Sequence, residues 1–187
     1  IYSTIILIVF GAIFMFIFEM NNPYTMKGMS VKGKILSSIF AAVSPRTAGF
    51  NSIPLDKMTS AGNFLTIILM FIGGSPGSTA GGIKTTTAVV LFMTVVSVVR
   101  GREDTEIFKK RINKEVVYKS LVITVLGLGI VIVVTMVLSI TEPSNIPFEY
   151  FLYEATSAFA TVGLTLGLTT KLTIVGKIII TDRKSVV

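Results

Sequence analysis

Residues 47–63, TAGFNSIPLDKMTSAGN, and residues 161–177, TVGLTLGLTTKLTIVGK, decide how this chain folds. Set Gly49 against Gly163 without gaps, and Thr47, Gly49, Lys57, Thr59 and Gly62 meet identical residues at Thr161, Gly163, Lys171, Thr173 and Gly176. The identity alone is modest. Its weight comes from position, because each stretch follows a short apolar segment and precedes a longer one. One structural unit is therefore written twice, a form usual among transport proteins.

Outward from these stretches the chain divides by hydropathy. Residues 1–19 supply the roughly 20 apolar positions that a bilayer-spanning helix needs, and so do residues 116–140, bounded by Lys114, Glu115 and Lys119 on one side and Glu142-Pro143 on the other. Two segments, 31–44 and 147–159, are too short to cross and are expected to re-enter and return on the same side. Residues 61–99 would make a helix about 58 Å long if unbroken, roughly twice the hydrocarbon thickness. Neither apolar half reaches a full span, so the segment reads as one span broken by Gly73, Gly74, Pro76, Gly77, Gly81 and Gly82. A further apolar run starts at 172–180. The expected fold is all-α and integral to the membrane, with tandem repeats of the form span, re-entrant pore loop, span (M1-P-M2), as in K⁺ channels. The first repeat covers 1–99, with its filter at 47–51; the second covers 116–180, with its filter at 161–165.

Composition agrees. Of 187 residues, 51% are hydrophobic and only 14% charged, and the mean hydropathy is +0.79, which places the chain among membrane proteins. It has no cysteine and no histidine, which excludes disulfides, Cys/His zinc sites, Ser-His-Asp triads and Cys-His nucleophiles. The net charge of +7 does not point to nucleic acid, because the basic residues cluster between apolar runs. Residues 100–115 carry Arg100, Arg102, Lys109, Lys110, Arg111 and Lys114, and read as a cytoplasmic loop that puts the filter loops outside. Lys27, Lys32 and Lys34 then also fall outside, against that tendency. The chain opens without an initiator Met or a basic leader, which reads as a start in mid-protein, and residues 181–187, TDRKSVV, interrupt an apolar run and read as a non-native tail.

The core shared by the two stretches is Thr-x-Gly. Isolated triplets of this kind are mostly helix C-caps or turns. A pair of them, each after a short apolar helix in a span-loop-span unit, favours another role. Backbone carbonyls can replace the hydration shell of a potassium ion if the loop turns them inward, and glycine reaches such dihedrals freely. Thr161-Val162-Gly163 is close to the filter signature Thr-Val-Gly-Tyr-Gly, with Leu164 and Thr165 in place of Tyr-Gly.

The runs SPRTAGFNS, GGSPGSTAGGIKTTT and SAFATVGLT resemble the Ktr/Trk/HKT superfamily of potassium transporters, and the bacterial Ktr membrane subunit above all. The resemblance extends to about Ile180 and is most specific in the glycine-rich run. It implies four M1-P-M2 units around one pore, of which this chain holds the third and fourth and lacks the N-terminal half. It implies a selectivity filter at Thr47, Ala48, Gly49 and Phe50 and at Thr161, Val162, Gly163 and Leu164. K⁺ would be held by the backbone carbonyls of Thr47, Ala48, Gly49, Thr161, Val162 and Gly163. The run then looks like an intramembrane gate loop beneath the filter, with Gly73, Gly74, Gly77, Ser78, Thr79, Gly81, Gly82 and Lys84 as its residues. The resemblance further implies potassium uptake in the cell membrane, Na⁺ as the candidate coupling ion, no cofactor in this chain, a homodimer, and a cytoplasmic nucleotide-binding ring as regulatory partner. The family's pore-facing arginine late in the last M2 has no counterpart here, and its role does not pass to Arg183.

Rival readings exist for the same residues. The glycine-rich run could serve tight helix packing. Its end, Gly82-Ile83-Lys84-Thr85, is similar to a phosphate-binding loop, but Gly and Lys are not adjacent and no strand precedes. Lys84 is the only charge between Lys57 and Arg100; it either faces a cavity at membrane depth or reaches to the interface. The alternative function is a secondary transporter that binds a small solute at the broken helix. An enzyme would need an acid or nucleophile within the membrane, and no carboxylate is expected inside a span.

Overall fold

The computed structural model describes residues 2–77, 80–102, 104–107, 110–142, 145–170, 172–173, 176–178 and 180. Ser78, Thr79, Lys109, Lys171, Arg183 and the tail 181–187 lie outside the described residues. The helices are α1 (Tyr2–Glu19), α2 (Val31–Val43), α3 (Ser60–Phe71), α4 (Thr85–Val99), α5 (Lys114–Thr141) and α6 (Phe148–Phe159), with a 3-10 turn at Leu55–Lys57. The all-α expectation is amended at one place. In the basic loop, β1 (Glu106–Ile107) pairs antiparallel with β2 (Lys110–Arg111).

Among the described residues, α1 and α5 are long and apolar enough to cross a membrane. Their outward faces are apolar: Ile5, Val9, Phe10, Ile13 and Ile17 on α1, and Val122, Val125, Leu126 and Val133 on α5, are all exposed. The buried stripes mix small and polar residues with apolar ones. They run Gly11, Met15, Glu19 on α1, and Ser120, Gly127, Val131, Val134, Thr135, Leu138 on α5. This inverts the pattern of a helix at the surface of a water-soluble protein. Helix starts follow the sequence, since Ser30, Thr59 and Asn113 cap α2, α3 and α5 by accepting backbone N–H bonds from Gly33, Gly62 and Glu115.

α2 runs back along α1. Near its start, Lys34 Nζ donates to the carbonyl of Met20 at 2.8 Å, and past its end Arg46 Nη1 donates to the carbonyl of Thr4 at 3.3 Å. Lys34 thus places a cation at the C-terminal end of α1, where the peptide dipoles favour one. α1, α2 and α3 converge at Gly11, where a Cβ would lie 3.1 Å from Ala42 Cβ and 3.0 Å from Leu69 Cδ1. α6 packs on α5 and α3, with Gly127 against the Phe159 ring. One apolar cluster gathers Met15, Met26, Leu69 and Met70 with Tyr153, Val162 and Leu164, and a second joins Val134 and Leu138 to Phe151, Ala155 and Leu168.

Two buried carboxylates close the units. Glu19, at the end of α1, is fully buried; its Oε1 accepts from Thr59 N (2.8 Å) and Thr59 Oγ1 (2.7 Å), and its Oε2 from Thr25 Oγ1 (2.6 Å) and Asn22 Nδ2 (2.7 Å). Glu142, just past α5, is buried and accepts from Thr173 N (3.2 Å) and Thr173 Oγ1 (2.6 Å). The matched glycines leave the space: a Cβ on Gly62 would lie 2.6 Å from Glu19 Oε1, and one on Gly176 would collide with Glu142 Oε1. The expectation of no carboxylate inside a span is corrected at the last residue of α1; α6 is a short helix and not one of the spans. Glu19 belongs to α1 and Glu154 to α6, and both are buried. Each is tolerated because donors surround it.

Thr59→Val removes the α3 cap and the hydroxyl donor to a buried carboxylate, and should lower stability by about 2–4 kcal/mol. Thr59→Ser keeps both and should stay within about 1 kcal/mol of the parent. Denaturation midpoints of the full-length protein in detergent check both values.

Candidate functional site

Both Thr-x-Gly triplets sit where a short helix ends. After α2, the N–H groups of Ala48 and Gly49 donate to the Ser44 carbonyl at 3.1 and 3.3 Å, and the Ser44 hydroxyl donates to the Phe50 carbonyl. After α6, Val162 N donates to the Ser157 carbonyl at 3.0 Å, the five-residue closure of a Schellman-type cap. That motif normally takes glycine at its left-handed position. Here the position is threonine: Thr47 (φ 74°) and Thr161 (φ 54°) are the only non-glycine residues at positive φ among those described. Gly49 (φ 72°) and Gly163 (φ 87°) follow two residues later, while Ala48 and Val162 between them are not left-handed. A left-handed threonine costs about 1–2 kcal/mol. The alternating handedness turns each peptide plane against the last.

The two turns touch. A Cβ on Gly49 would lie 2.5 Å from the Val162 carbonyl oxygen, so the main chain of one turn faces the α-carbon of the other. Around Gly163 the same construction meets nothing within 4 Å. Val162 and Leu164 anchor their turn in the core, whereas Ala48 and Phe50 are exposed.

The glycine-rich run lies against the same place. α3 stops at Phe71; Ile83 N then donates to the Phe71 carbonyl at 3.0 Å and Thr85 N to the Gly74 carbonyl at 3.2 Å, so residues 73–84 leave and return to one point. At the near edge, Gly81 N donates to Thr161 Oγ1 at 3.0 Å, and a Cβ on Gly81 would lie 2.8 Å from the Ala160 carbonyl carbon. A Cβ on Gly73 would meet the Gly81 carbonyl oxygen, and Gly82 (φ 72°) packs on the carbonyls of Met70 and Phe71. Gly77 (φ 83°) turns in open space. Backbone approaches backbone here, which small-residue packing between intact helices does not need. Lys84, at the start of α4, is half-buried and its ammonium donates to the Ala80 carbonyl. Arg46 ties the other turn to the run: its Nη2 donates to the Gly73 carbonyl at 3.3 Å.

The structure therefore brings together both triplets and the described part of the glycine-rich run. Among the described residues, no group of three acidic, histidine or cysteine side chains could hold a metal; the turns offer main-chain oxygens. Arg46, Glu19, Glu142 and Glu154 escape a reading by motif. The available signal was a lone charge inside or beside an apolar run.

Comparison with known proteins gives consistent matches. The sequence model of the TrkH family, described as cation transport protein, matches residues 1–181. The chain is 42% identical over 178 residues to the Ktr system potassium uptake protein B of Bacillus subtilis, covering 95% of this chain and 40% of that protein. It is 41% identical over 179 residues to the potassium/sodium uptake protein NtpJ of Enterococcus hirae, with coverages of 95% and 40%. The crystal structure of the potassium transporter TrkH from Vibrio parahaemolyticus superposes with a TM-score of 0.75 at 17% identity, covering 98% of this chain and 40% of that one, a likeness of fold. The chain spans about 40% of the length of these curated relatives.

Gly49→Ala and Gly163→Ala each place a side chain at positive φ, at about 1–2 kcal/mol, but the former also drives a Cβ into the Val162 carbonyl. Gly49→Ala should lower the denaturation midpoint of the full-length protein distinctly more than Gly163→Ala. Equal losses would mean that the turns do not adjoin.

Proposed function

The chain belongs to the TrkH family of cation transport proteins, and from that premise we propose that it forms half of a potassium-uptake pore whose two Thr-x-Gly turns are selectivity-filter loops. The family is one of membrane transporters, and no enzymatic role is assigned. The observation that carries the reading is the paired geometry of the turns. Each spends backbone strain on a left-handed threonine and glycine at the end of a short helix, and the turns meet main chain to main chain. Carbonyls of Thr47, Ala48, Gly49, Thr161, Val162 and Gly163 take the place of water around a dehydrated K⁺. α2 and α6, of 13 and 12 residues, are about 20 and 18 Å long and re-enter rather than cross a core of about 30 Å.

In this reading the chain supplies the third and fourth of four M1-P-M2 units, with α1, α2 and the broken α3–α4 in one and α5, α6 and the run from Leu172 in the other. The loop 73–84 is the gate beneath the filter, where the Lys84 charge opposes a cation. The turns face outside and the loop 100–115 faces the cytoplasm, where it offers a docking surface to a nucleotide-binding ring. The subunit works as a homodimer, with Na⁺ as a coupling ion. A solute site at the break of α3 and α4 is disfavoured, because the loop closes on itself through the Ile83 and Thr85 bonds and on Thr161 through Gly81.

In a bacterial host lacking its own potassium uptake, the full-length transporter should restore growth at low K⁺. Gly163→Ser should degrade its discrimination of K⁺ over Na⁺ by about tenfold or more, as displaced carbonyls lose their fit. Unchanged discrimination at normal membrane abundance rejects the filter assignment.

A further inference from the structure

Glu154 is the buried acid that the reading above leaves without a task. It lies in α6, seven residues before Thr161, and is only 4% exposed. Its partners all come from the segment that leaves the second turn. Oε1 accepts from the Thr165 hydroxyl, and Oε2 accepts from Thr169 Oγ1 at 2.9 Å. The hydroxyls are themselves laced: Thr165 Oγ1 accepts from Gly167 N at 2.9 Å and lies 3.1 Å from Thr169 Oγ1. One carboxylate thus organises five consecutive residues.

The segment so held is extended and two-faced. Val162, Leu164, Leu166 and Leu168 are buried, while Gly163, Thr165, Gly167 and Thr169 alternate with them and are exposed. The buried face fixes depth by apolar packing, which is non-directional. Packing alone leaves the segment free to slide, and a slide by one residue would exchange its faces. Two directional bonds to one charged group, made four residues apart, remove that freedom.

The first turn has no such device. In the alignment of the two units Phe40 occupies the place of Glu154, and the segment after Gly49 is held by the Ser44 hydroxyl on the Phe50 carbonyl and by Asn51 Nδ2 on the Ile53 carbonyl at 3.3 Å. The two turns are braced differently, and the carboxylate serves one of them.

We propose that Glu154 is a positioning residue of the ion pathway: its buried carboxylate, by holding Thr165–Thr169, fixes the Thr161–Gly163 turn in register and so sets the ion discrimination of that turn. The inference rests on the filter reading above. Glu154→Gln keeps the shape but replaces one carboxylate oxygen with an amide NH2, so one of the two hydroxyls loses its acceptor and the other loses its charged partner.

The test is competitive K⁺ and Na⁺ uptake by the full-length transporter in the same host, normalised to membrane abundance. Glu154→Gln should lower K⁺ over Na⁺ discrimination by about tenfold, the scale of a lost charge-assisted bond, with the maximal rate of total cation uptake changed less than the discrimination. Thr169→Val, which deletes one donor and leaves the Thr165 hydroxyl, should lower it by about two- to threefold and provides the decisive reading should Glu154→Gln fail to accumulate. Normal discrimination in Thr169→Val and in any accumulating Glu154→Gln, with Gly163→Ser impaired, overturns the role of Glu154 alone. Normal discrimination in Gly163→Ser as well overturns the filter reading on which it rests. A fall in rate with discrimination unchanged assigns Glu154 to stability and likewise overturns the proposal.

Discussion

A carboxylate at the end of a long apolar helix accepts the backbone N–H and hydroxyl of a threonine later in the same unit. Glu19 does this to Thr59 across 40 residues, and Glu142 to Thr173 across 31. The bond forces everything between its ends to be an excursion that leaves and returns to one point. A short helix and a tight turn are what fit in such an excursion. Buried without partners, the carboxylate would be prohibitive; given four donors, as Glu19 is, it becomes a directional lock. The helix start contributes too, since an anion at an N-terminus faces the positive end of the peptide dipoles.

Inside these closures the architecture depends on glycine at places where main chain meets main chain. Gly49 admits the Val162 carbonyl, Gly81 admits Ala160, and Gly73 admits Gly81. The result is a contact chain from Arg46 and the first turn, through Gly73 and the loop 73–84, to Thr161 and the second turn. A displacement of that loop cannot leave both turns untouched, because it shares a hydrogen bond with each neighbourhood. Apolar packing around it, by Met70, Leu69 and Val162, gives the assembly its depth but not its register.

Much of this was legible beforehand, and the parts that were not have identifiable causes. The doubled Thr-x-Gly and the identity of Thr59 with Thr173 and Gly62 with Gly176 could be seen in the letters. Their reason could not, because the partners Glu19 and Glu142 stand at different separations from the matched stretch, and an ungapped alignment passes them by. The short helices were legible from length alone, to within a residue or so: 31–44 against Val31–Val43, and 147–159 against Phe148–Phe159. The glycine-rich run announced a break but not its closure on Phe71 and Gly74, which depends on backbone bonds that no side chain advertises. Glu154 was illegible for another reason: it has no counterpart in the other unit, so repetition gave it no weight. Lys34 read as a topological charge, yet it and Arg46 are both spent on helix or loop carbonyls.

The choice of threonine at the two left-handed helix ends is the most informative departure from local preference. Glycine would relieve about 1–2 kcal/mol at each, and the cap motif ordinarily uses it. At Thr161 the hydroxyl accepts the Gly81 N–H at 3.0 Å, a bond that glycine cannot make. Removing it would take the acceptor from that N–H, where Gly81 is pressed against Ala160, at a cost comparable to the strain relieved. Stability alone is therefore close to indifferent between the two residues. What threonine adds is a link between the turn and the loop beneath it. Strain retained where the energetics are balanced, at a residue that joins the second turn to the glycine-rich loop, is better explained by that junction than by the fold.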